Sequence, residues 1–199
     1  SSCPPLMLSF TDLPFAETNK AQLAILDNLE KSHWKEPTPV QMQAVPALSL
    51  VSRPDVVACA PTGSGKTAAF LLPALLLCLT GSNHKKKKKK SVKTSDTRVL
   101  LVAPTRELAG QIHREASFLA KGTSVPVHLL QGKASPGTNF AGILVSTPLR
   151  LISALRASHV NLSTVELVVL DEADKLFEVE EHFGRAADDD DDEDDAEGR

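Results

Sequence analysis

Two short segments of the chain carry residue types suited to the chemistry of a nucleoside triphosphate. The first is APTGSGKT at residues 60–67, which follows the phosphate-loop pattern except that alanine stands where the pattern begins with glycine. Gly63 and Gly65 allow the backbone to curl so that successive N–H groups converge on phosphate oxygens. Lys66 adds a positive charge at the terminal phosphates, and the Thr67 hydroxyl can coordinate Mg²⁺. We therefore predict a phosphate-binding loop made of Ala60, Pro61, Thr62, Gly63, Ser64, Gly65, Lys66 and Thr67.

The second segment, LVVLDEAD at residues 167–174, places a pair of adjacent acids after an apolar run. Asp171 stands at the end of that run, where a magnesium-coordinating carboxylate belongs. Glu172 can orient and partly deprotonate the attacking water. An isolated Asp-Glu pair is also common as the acidic start of a helix. Joined to the phosphate loop, the segment favours a nucleoside triphosphate hydrolase, with Lys66, Asp171 and Glu172 as catalytic residues and Thr67 and Asp171 as metal ligands.

These segments would be positioned by a regular alternation of strands and helices. Short β-branched runs predict buried strands at 55–60, 98–104, 125–131, 142–147 and 165–174. Apolar periodicity predicts helices at 19–31, 40–50, directly after the phosphate loop, and at 105–120 and 148–157. This alternation predicts an α/β fold with an open, mostly parallel sheet. Because ligands bind at the carboxyl ends of strands in such sheets, both segments are expected at one edge.

Charge is distributed unevenly along the chain. The net charge is −3, but residues 188–199 hold nine acids and one base, so residues 1–187 carry a net charge of +5. A basic body suits a polyanionic partner. Residues 85–90 are all lysines. This run could attract nucleic acid, act as a nuclear-import signal or form a solvated disordered loop, and the last interpretation is favoured. The acidic end could compete for basic surfaces, although solubilising disorder is the preferred interpretation.

Cysteine content and hydropathy bear on the cellular compartment. Cys3, Cys59 and Cys78 are odd in number and lack metal-ligand spacing, which favours reduced thiols in the cytosol or nucleus. The longest apolar run, residues 68–79, is too short for a membrane span, which needs ~20 residues. The N-terminus lacks the basic start of a signal peptide. We expect a soluble intracellular protein without membrane association.

Three motifs in order, APTGSGKT, PTRELAGQ and DEAD, resemble those of the DEAD-box ATP-dependent RNA helicases. The resemblance runs from about residue 10 to residue 177 and is to the first of that family's two RecA-like lobes. It implies a RecA-like phosphate-loop NTPase lobe, ATP and Mg²⁺ as cofactors, and RNA as a partner. HWKEPTPVQ resembles the adenine-reading segment, in which Gln41 would grip the base, although His33 replaces the usual glycine. Phe10 would stack on the base, with Phe15 as its rival.

The resemblance also implies an RNA-binding surface at the starts of two helices, formed by Pro104, Thr105, Arg106, Thr147, Pro148 and Arg150. Backbone N–H groups at a helix start and a guanidinium group would together hold phosphates. Without the family, an exposed ion pair between Arg106 and Glu107 is the preferred interpretation. Leu149 replaces a customary glycine and could obstruct the close approach of a phosphate to the second helix.

The resemblance divides the chain into three regions. Residues 1–18 form an N-terminal extension with the stacking aromatic residue, 19–183 a partial RecA-like lobe with a disordered lysine-rich loop at 81–97, and 184–199 an acidic disordered tail. In the family, a further strand after DEAD lies between the phosphate-loop strand and the DEAD strand, and a second lobe follows. Neither has a counterpart after Asp174, so we expect a gap in the sheet with unpaired backbone groups.

We therefore expect the sequence of an ATP-dependent RNA helicase, present as a truncated first lobe with little activity of its own. The alternative is a non-enzymatic nucleotide- or RNA-binding module, or a short isoform that interferes with the complete enzyme. Another phosphate-loop ATPase, such as a transporter motor or DNA helicase, is disfavoured by the Gln41 segment. PTPVQMQAVPAL and DEADKLFE look most like the family's small-subunit ribosome-biogenesis branch. That branch implies pre-rRNA processing in the nucleus or nucleolus, with the cytoplasm as an alternative location.

Overall fold

The computed structural model describes residues 3–13, 20–32, 34–50, 52, 54–80, 97–131 and 140–178. The helices are a 3-10 helix at Phe10–Asp12, α1 (Lys20–Lys31), α2 (Pro39–Leu48), α3 (Lys66–Leu79), α4 (Arg106–Leu119), α5 (Pro148–Arg156) and α6 (Ala173–Glu178). The strands are β1 (Thr97–Val102), β2 (Val127–Leu129), β3 (Gly142–Ser146) and β4 (Leu167–Leu170). The predicted acidic tail lies outside the described residues. So does the predicted lysine-rich loop, apart from Thr97, which begins β1.

The described strands form a parallel sheet in the order β2-β3-β1-β4. In the centre, Val99 of β1 aligns with Ile143 of β3 on one side and with Leu167 of β4 on the other. β1, β3 and β4 are each followed closely by a helix, so the residues after these strands meet at the carboxyl edge of the sheet. The predicted α/β class and parallel sheet are confirmed.

Successive residues of β1 enter two hydrophobic clusters on opposite faces of the sheet. Val99 and Leu101 join the larger cluster, with α1, α3 and α4, whereas Leu100 and Val102 join a smaller one beside α5. Residues 68–76 of α3 are all buried, as is typical of a helix enclosed on every side. Even so, no helix among the described residues is long and apolar enough to span a membrane.

The predicted strand at 55–60 is wrong. Residues 54–59 are exposed, Val57 is 99% exposed, and none of residues 54–61 forms a strand. Extended backbone becomes a strand only where its N–H and C=O groups find partners on a neighbour, and no described strand pairs with this segment. β4, predicted to be buried, lies at the edge of the described sheet and exposes Val168 and Leu170. Two apolar segments that the sequence assigns to the interior are thus open to solvent.

Candidate functional site

The phosphate loop folds as a tight turn at the start of α3, although no strand leads into it. Gly63 and Gly65 have φ angles of 79° and 90°, in the left-handed region that glycine enters without side-chain strain. Gly65 caps α3, which begins at Lys66, and the Ser64 N–H donates to the Pro61 carbonyl at 3.2 Å. The first turn of α3 leaves N–H groups without partners inside the helix, which is the arrangement that binds phosphate.

The Lys66 ammonium group is folded back onto the loop. It donates to the carbonyl oxygens of Ala60 at 2.5 Å and Pro61 at 2.9 Å. An ammonium has three donors, so one remains for a phosphate oxygen. The Ser64 hydroxyl of the same loop is buried and has no hydrogen-bond partner in the part of the chain that the structure describes, and a bound phosphate would satisfy it. The loop therefore fits a phosphate group.

Gln41 connects α2 to the phosphate loop. Its fully buried side chain accepts from the Thr38 N–H at 2.9 Å through Oε1 and donates to the Gly65 carbonyl at 3.0 Å through Nε2. A methyl group on Gly65 would lie 2.4 Å from that Nε2 atom, so this contact requires glycine. Adenine recognition by Gln41 stays a prediction. In the present arrangement the amide supports the loop, and an incoming base would first have to reach a buried group.

Phe10 occupies the hydrophobic core and is 6% exposed. It packs in the larger cluster with Met7 and Leu13, and the Met7 N–H donates to the Met42 carbonyl at 3.0 Å, which holds the N-terminal segment against α2. Stacking on a base needs an open ring face, so that role, still a prediction, would require the Phe10 ring to leave the core. Phe15 lies outside the described residues.

The two acids follow β4 at the carboxyl edge of the sheet. The Asp171 N–H donates to the Val102 carbonyl at 3.0 Å, which extends the pairing of β4 with β1 by one residue. Glu172 has a φ angle of 50°, and its N–H donates to Asp171 Oδ1 at 3.1 Å. The Glu172 carboxylate forms an ion pair with the Lys175 ammonium group at 2.8 Å. Asp171 thus stays at the strand end while Glu172 turns the chain into α6.

Asp171 and the phosphate loop share one electrostatic environment. Burial raises the pKa of the Asp171 carboxyl above its ordinary value, whereas the hydrogen bond from the Glu172 N–H and the positive charge of Lys66 lower this pKa. No group of three or more His, Cys, Asp or Glu side chains in the described part of the chain could hold a metal. Mg²⁺ takes one or two carboxylates and completes its shell with phosphates and water. The donor types of Asp171 and Thr67, one carboxylate and one hydroxyl, suit such a metal, and its binding there stays a prediction.

The residues predicted to bind RNA come together around a surface depression of about 170 Å³. Its lining comprises Pro104, Arg106, Thr147, Pro148, Leu149, Arg150 and Leu176. These residues meet because α4 and α5 follow the neighbouring strands β1 and β3. Thr105 caps α4 by accepting from the Leu108 N–H at 3.2 Å and does not line the depression. All the predicted RNA-binding residues therefore lie at two adjacent helix starts.

The depression contains two positively charged arginines, Arg106 and Arg150. Within the described ranges, neither Arg106 nor Arg150 forms an ion pair, so the alternative Arg106–Glu107 pair is not present. Leu149 is exposed and lies in the wall, where its side chain would meet an approaching phosphate group. The N-termini of α4 and α5 add partial positive charge to that of the guanidinium groups. The arrangement suits a ligand with more than one phosphate.

Sequence reasoning missed two participants in these sites. Leu176 of α6 lines the depression. Its position in the sequence shortly after β4 could have indicated this, because α6 begins at the carboxyl edge of the sheet. Thr38 has a buried hydroxyl with no hydrogen-bond partner among the described residues, and a methyl group on Gly65 would come within 3.0 Å of it. A capping threonine three residues before Gln41 could have indicated it.

Comparisons with known proteins agree with this geometry. Residues 38–189 match the family model described as DEAD/DEAH box helicase. DEAD-box ATP-dependent RNA helicase 57 of Oryza sativa subsp. japonica is 45% identical, over 78% of this chain and 27% of its own length. ATP-dependent RNA helicase ROK1 of Lodderomyces elongisporus is 43% identical, over 80% of this chain and 28% of its own length. The chain therefore spans less than a third of the length of these relatives.

The fold likewise matches a solved helicase structure. S. cerevisiae Dbp5 bound to RNA and ADP BeF3 superposes with a TM-score of 0.69 at 25% identity, over 84% of this chain and 39% of that one. The family model alone accounts for about three quarters of the chain. The chain belongs to the DEAD/DEAH box helicase family.

Proposed function

We propose that this chain forms the ATP- and RNA-binding first lobe of an ATP-dependent RNA helicase. One observation carries the proposal: both candidate sites lie at the carboxyl edge of one sheet, and β1 connects them. β1 pairs with β4, which leads to Asp171, and with β3, which leads to Thr147. A change at the ATP site can thus reach the RNA surface through adjacent strand ends.

On the ATP side, Lys66 and the N–H groups at the start of α3 bind the phosphates, and Ser64 gains an acceptor for its hydroxyl. Thr67 and Asp171 hold Mg²⁺, which when bound neutralises charge on the transferred phosphoryl group. Glu172 orients the attacking water. Lys175 is paired with Glu172 Oε2, and a carboxylate has a second oxygen with which to orient water.

On the RNA side, Arg106, Arg150 and the N-termini of α4 and α5 bind the sugar–phosphate backbone. Contacts of this kind carry little sequence information and weaken as salt rises. The printed title of the Dbp5 structure, with RNA and ADP BeF3 bound to that protein, supports pairing an RNA surface with a nucleotide site on this fold. Similarity to the small-subunit ribosome-biogenesis branch supports pre-rRNA as the RNA and the nucleolus as the location.

The 199-residue chain is proposed to have little ATPase or unwinding activity alone. Residues 54–59, which lead into the phosphate loop, are exposed and unpaired, so the loop lacks a fixed strand behind it. The family resemblance also assigns part of the ATP site to a second lobe. These observations favour one alternative, a non-enzymatic module that binds nucleotide or RNA.

The test measures binding of a fluorescent ATP analogue and RNA-stimulated ATPase on the purified 199-residue chain. We expect Lys66→Ala to abolish nucleotide binding and Gln41→Ala to weaken it, while Lys31→Ala, at an exposed position of α1, leaves nucleotide binding and ATPase unchanged. Unchanged affinity in both site variants would refute the nucleotide site. RNA-stimulated turnover that disappears in Lys66→Ala would show that the chain is an enzyme by itself, against the expected weak activity.

A further inference from the structure

The RNA-binding depression has the properties of a site for an acidic segment of the same chain. Arg106 is exposed and Arg150 half-buried, and no described carboxylate pairs with either. Both belong to first turns of helices, where backbone N–H groups add positive potential. Guanidinium groups bind carboxylates as readily as phosphates, through paired parallel hydrogen bonds. The surface thus accepts either anion.

The chain leaves the described structure at this same depression. Leu176 of α6 is part of the lining, and α6 ends at Glu178. Ten residues later begins an uninterrupted run of acids at 188–195. An extended segment of that length reaches about 33 Å, so the acidic run can return to the depression from which the chain departs.

The lysine run at 85–90 is the rival target for these acids. It lies between Thr80, after the end of α3, and Thr97, at the start of β1. Thr97 marks the amino edge of the sheet, whereas α6 and the depression lie at the carboxyl edge. β1 has six residues, and strands rise about 3.3 Å per residue, which separates the edges by about 20 Å. Thr97, the described residue that follows the lysine run, is therefore farther than the arginines from the point where the tail begins.

We propose that the acidic run at 188–195 binds Arg106 and Arg150 in this depression and competes there with the phosphates of RNA. The contact itself is a property of the chain alone. Its regulatory consequence rests on the proposed function, because only an RNA-binding surface can be blocked. The tail then acts as a built-in competitor whose effect is strongest at low ionic strength.

The contact is tested without RNA, by phenylglyoxal modification of arginines followed by mass spectrometry. The native chain is compared with a full-length variant in which each Asp of 188–195 becomes Asn and Glu193 becomes Gln. We expect Arg106 and Arg150 to react several-fold more slowly in the native chain at low salt, and equally in both chains at about 1 M salt, where the Debye length is ~3 Å. Arg114 and Arg156, exposed on the same two helices, are internal controls that should react equally.

Equal reaction of Arg106 and Arg150 in the two chains would overturn the proposal. The proposal would also be overturned if Arg114 and Arg156 differed in reaction rate between the two chains as much as Arg106 and Arg150 do, because the tail would then act through a general effect of charge. A chain with Lys85 to Lys90 replaced by serine should show the same protection as the native chain; protection that appears only in this serine variant would assign the acids of the native chain to the lysine run. Binding of labelled oligouridine should tighten when the tail is neutralised. If neither the native chain nor the tail-neutralised chain binds RNA, the proposed function is refuted. The arginine protection would still report the contact between the tail and the depression.

Discussion

Arg98 and Glu166 form a buried ion pair that joins β1, β4 and α3. Arg98 Nε donates to Glu166 Oε1 at 2.7 Å. Its Nη1 donates to the carbonyl oxygens of Leu77 and Thr80 at the C-terminal end of α3. In the reverse direction, the Glu166 N–H donates to the Arg98 carbonyl at 2.8 Å. One guanidinium group thus compensates the negative end of a helix dipole and a carboxylate at once.

Replacing Arg98 by alanine should lower the free energy of unfolding by about 3–5 kcal/mol, because the buried ion pair with Glu166 is broken and the carbonyl oxygens of Leu77 and Thr80 lose a donor. The measurement is urea unfolding followed by circular dichroism. The matched control is Lys31→Ala, which breaks the exposed Lys31–Asp27 pair and should cost less than about 1 kcal/mol. Similar losses in the two variants would mean that the Arg98 pair is not buried in solution.

The two left-handed glycines of the phosphate loop should respond differently to alanine. Both substitutions carry backbone strain of about 1–2 kcal/mol, but a methyl group at Gly63 meets nothing within 4 Å, whereas one at Gly65 displaces the Gln41 amide. ATP affinity should therefore fall further in Gly65→Ala than in Gly63→Ala. In Gly65→Ala combined with Gln41→Ala, part of the extra loss should be recovered, since the clash is removed. Equal losses in the two glycine variants would contradict the contact.

The three thiols should differ sharply in reactivity. Burial raises the pKa of the Cys78 thiol to about 12, so almost none of it is thiolate at pH 8, and the thiolate is the reactive form. Cys3 and Cys59 are exposed. Iodoacetamide at pH 8 should label these two cysteines and spare Cys78, as read by peptide mass spectrometry. Labelling of Cys78 in native protein at the rate of Cys59 would contradict its burial.

Val57 and Val99 test the correction to the predicted sheet. Val57 is almost fully exposed and Val99 fully buried. Val57→Ser should change the free energy of unfolding by less than about 0.5 kcal/mol. Val99→Ala should cost about 2 kcal/mol, since two methyl groups leave the core and a cavity remains. A large loss in Val57→Ser would show that residues 55–60 form an interior strand in solution.

Local patterns predicted most of the elements well. The helix expected at 19–31 is α1 at Lys20–Lys31, and the strand expected at 142–147 is β3 at Gly142–Ser146. In both, the spacing of apolar residues reflects a face that the element buries. The residues predicted to bind RNA lie near one another because two helices follow adjacent strands, and their contact with RNA stays a prediction.

Non-local pairing was beyond the reach of these patterns. The run at 55–60 has the composition of a strand, but a strand exists only with a partner, and composition does not specify one. A charged residue in a sequence usually indicates an exposed position. Arg98 nevertheless lies in a buried strand, because Glu166 and the carbonyl groups at the end of α3 compensate its charge. Gln41 supports Gly65, 24 residues later, and no local signal indicates that contact.

The outer side of β4 has a further consequence, for behaviour in concentrated solution. Among the described strands, none pairs with the outer backbone groups of β4, and Val168 and Leu170 are exposed beside them. Such an edge can template a strand from another molecule. Self-association would then limit yield and shelf life before unfolding does. The substitution Val168→Lys should keep the protein monomeric at concentrations at which the native chain is expected to self-associate through β4.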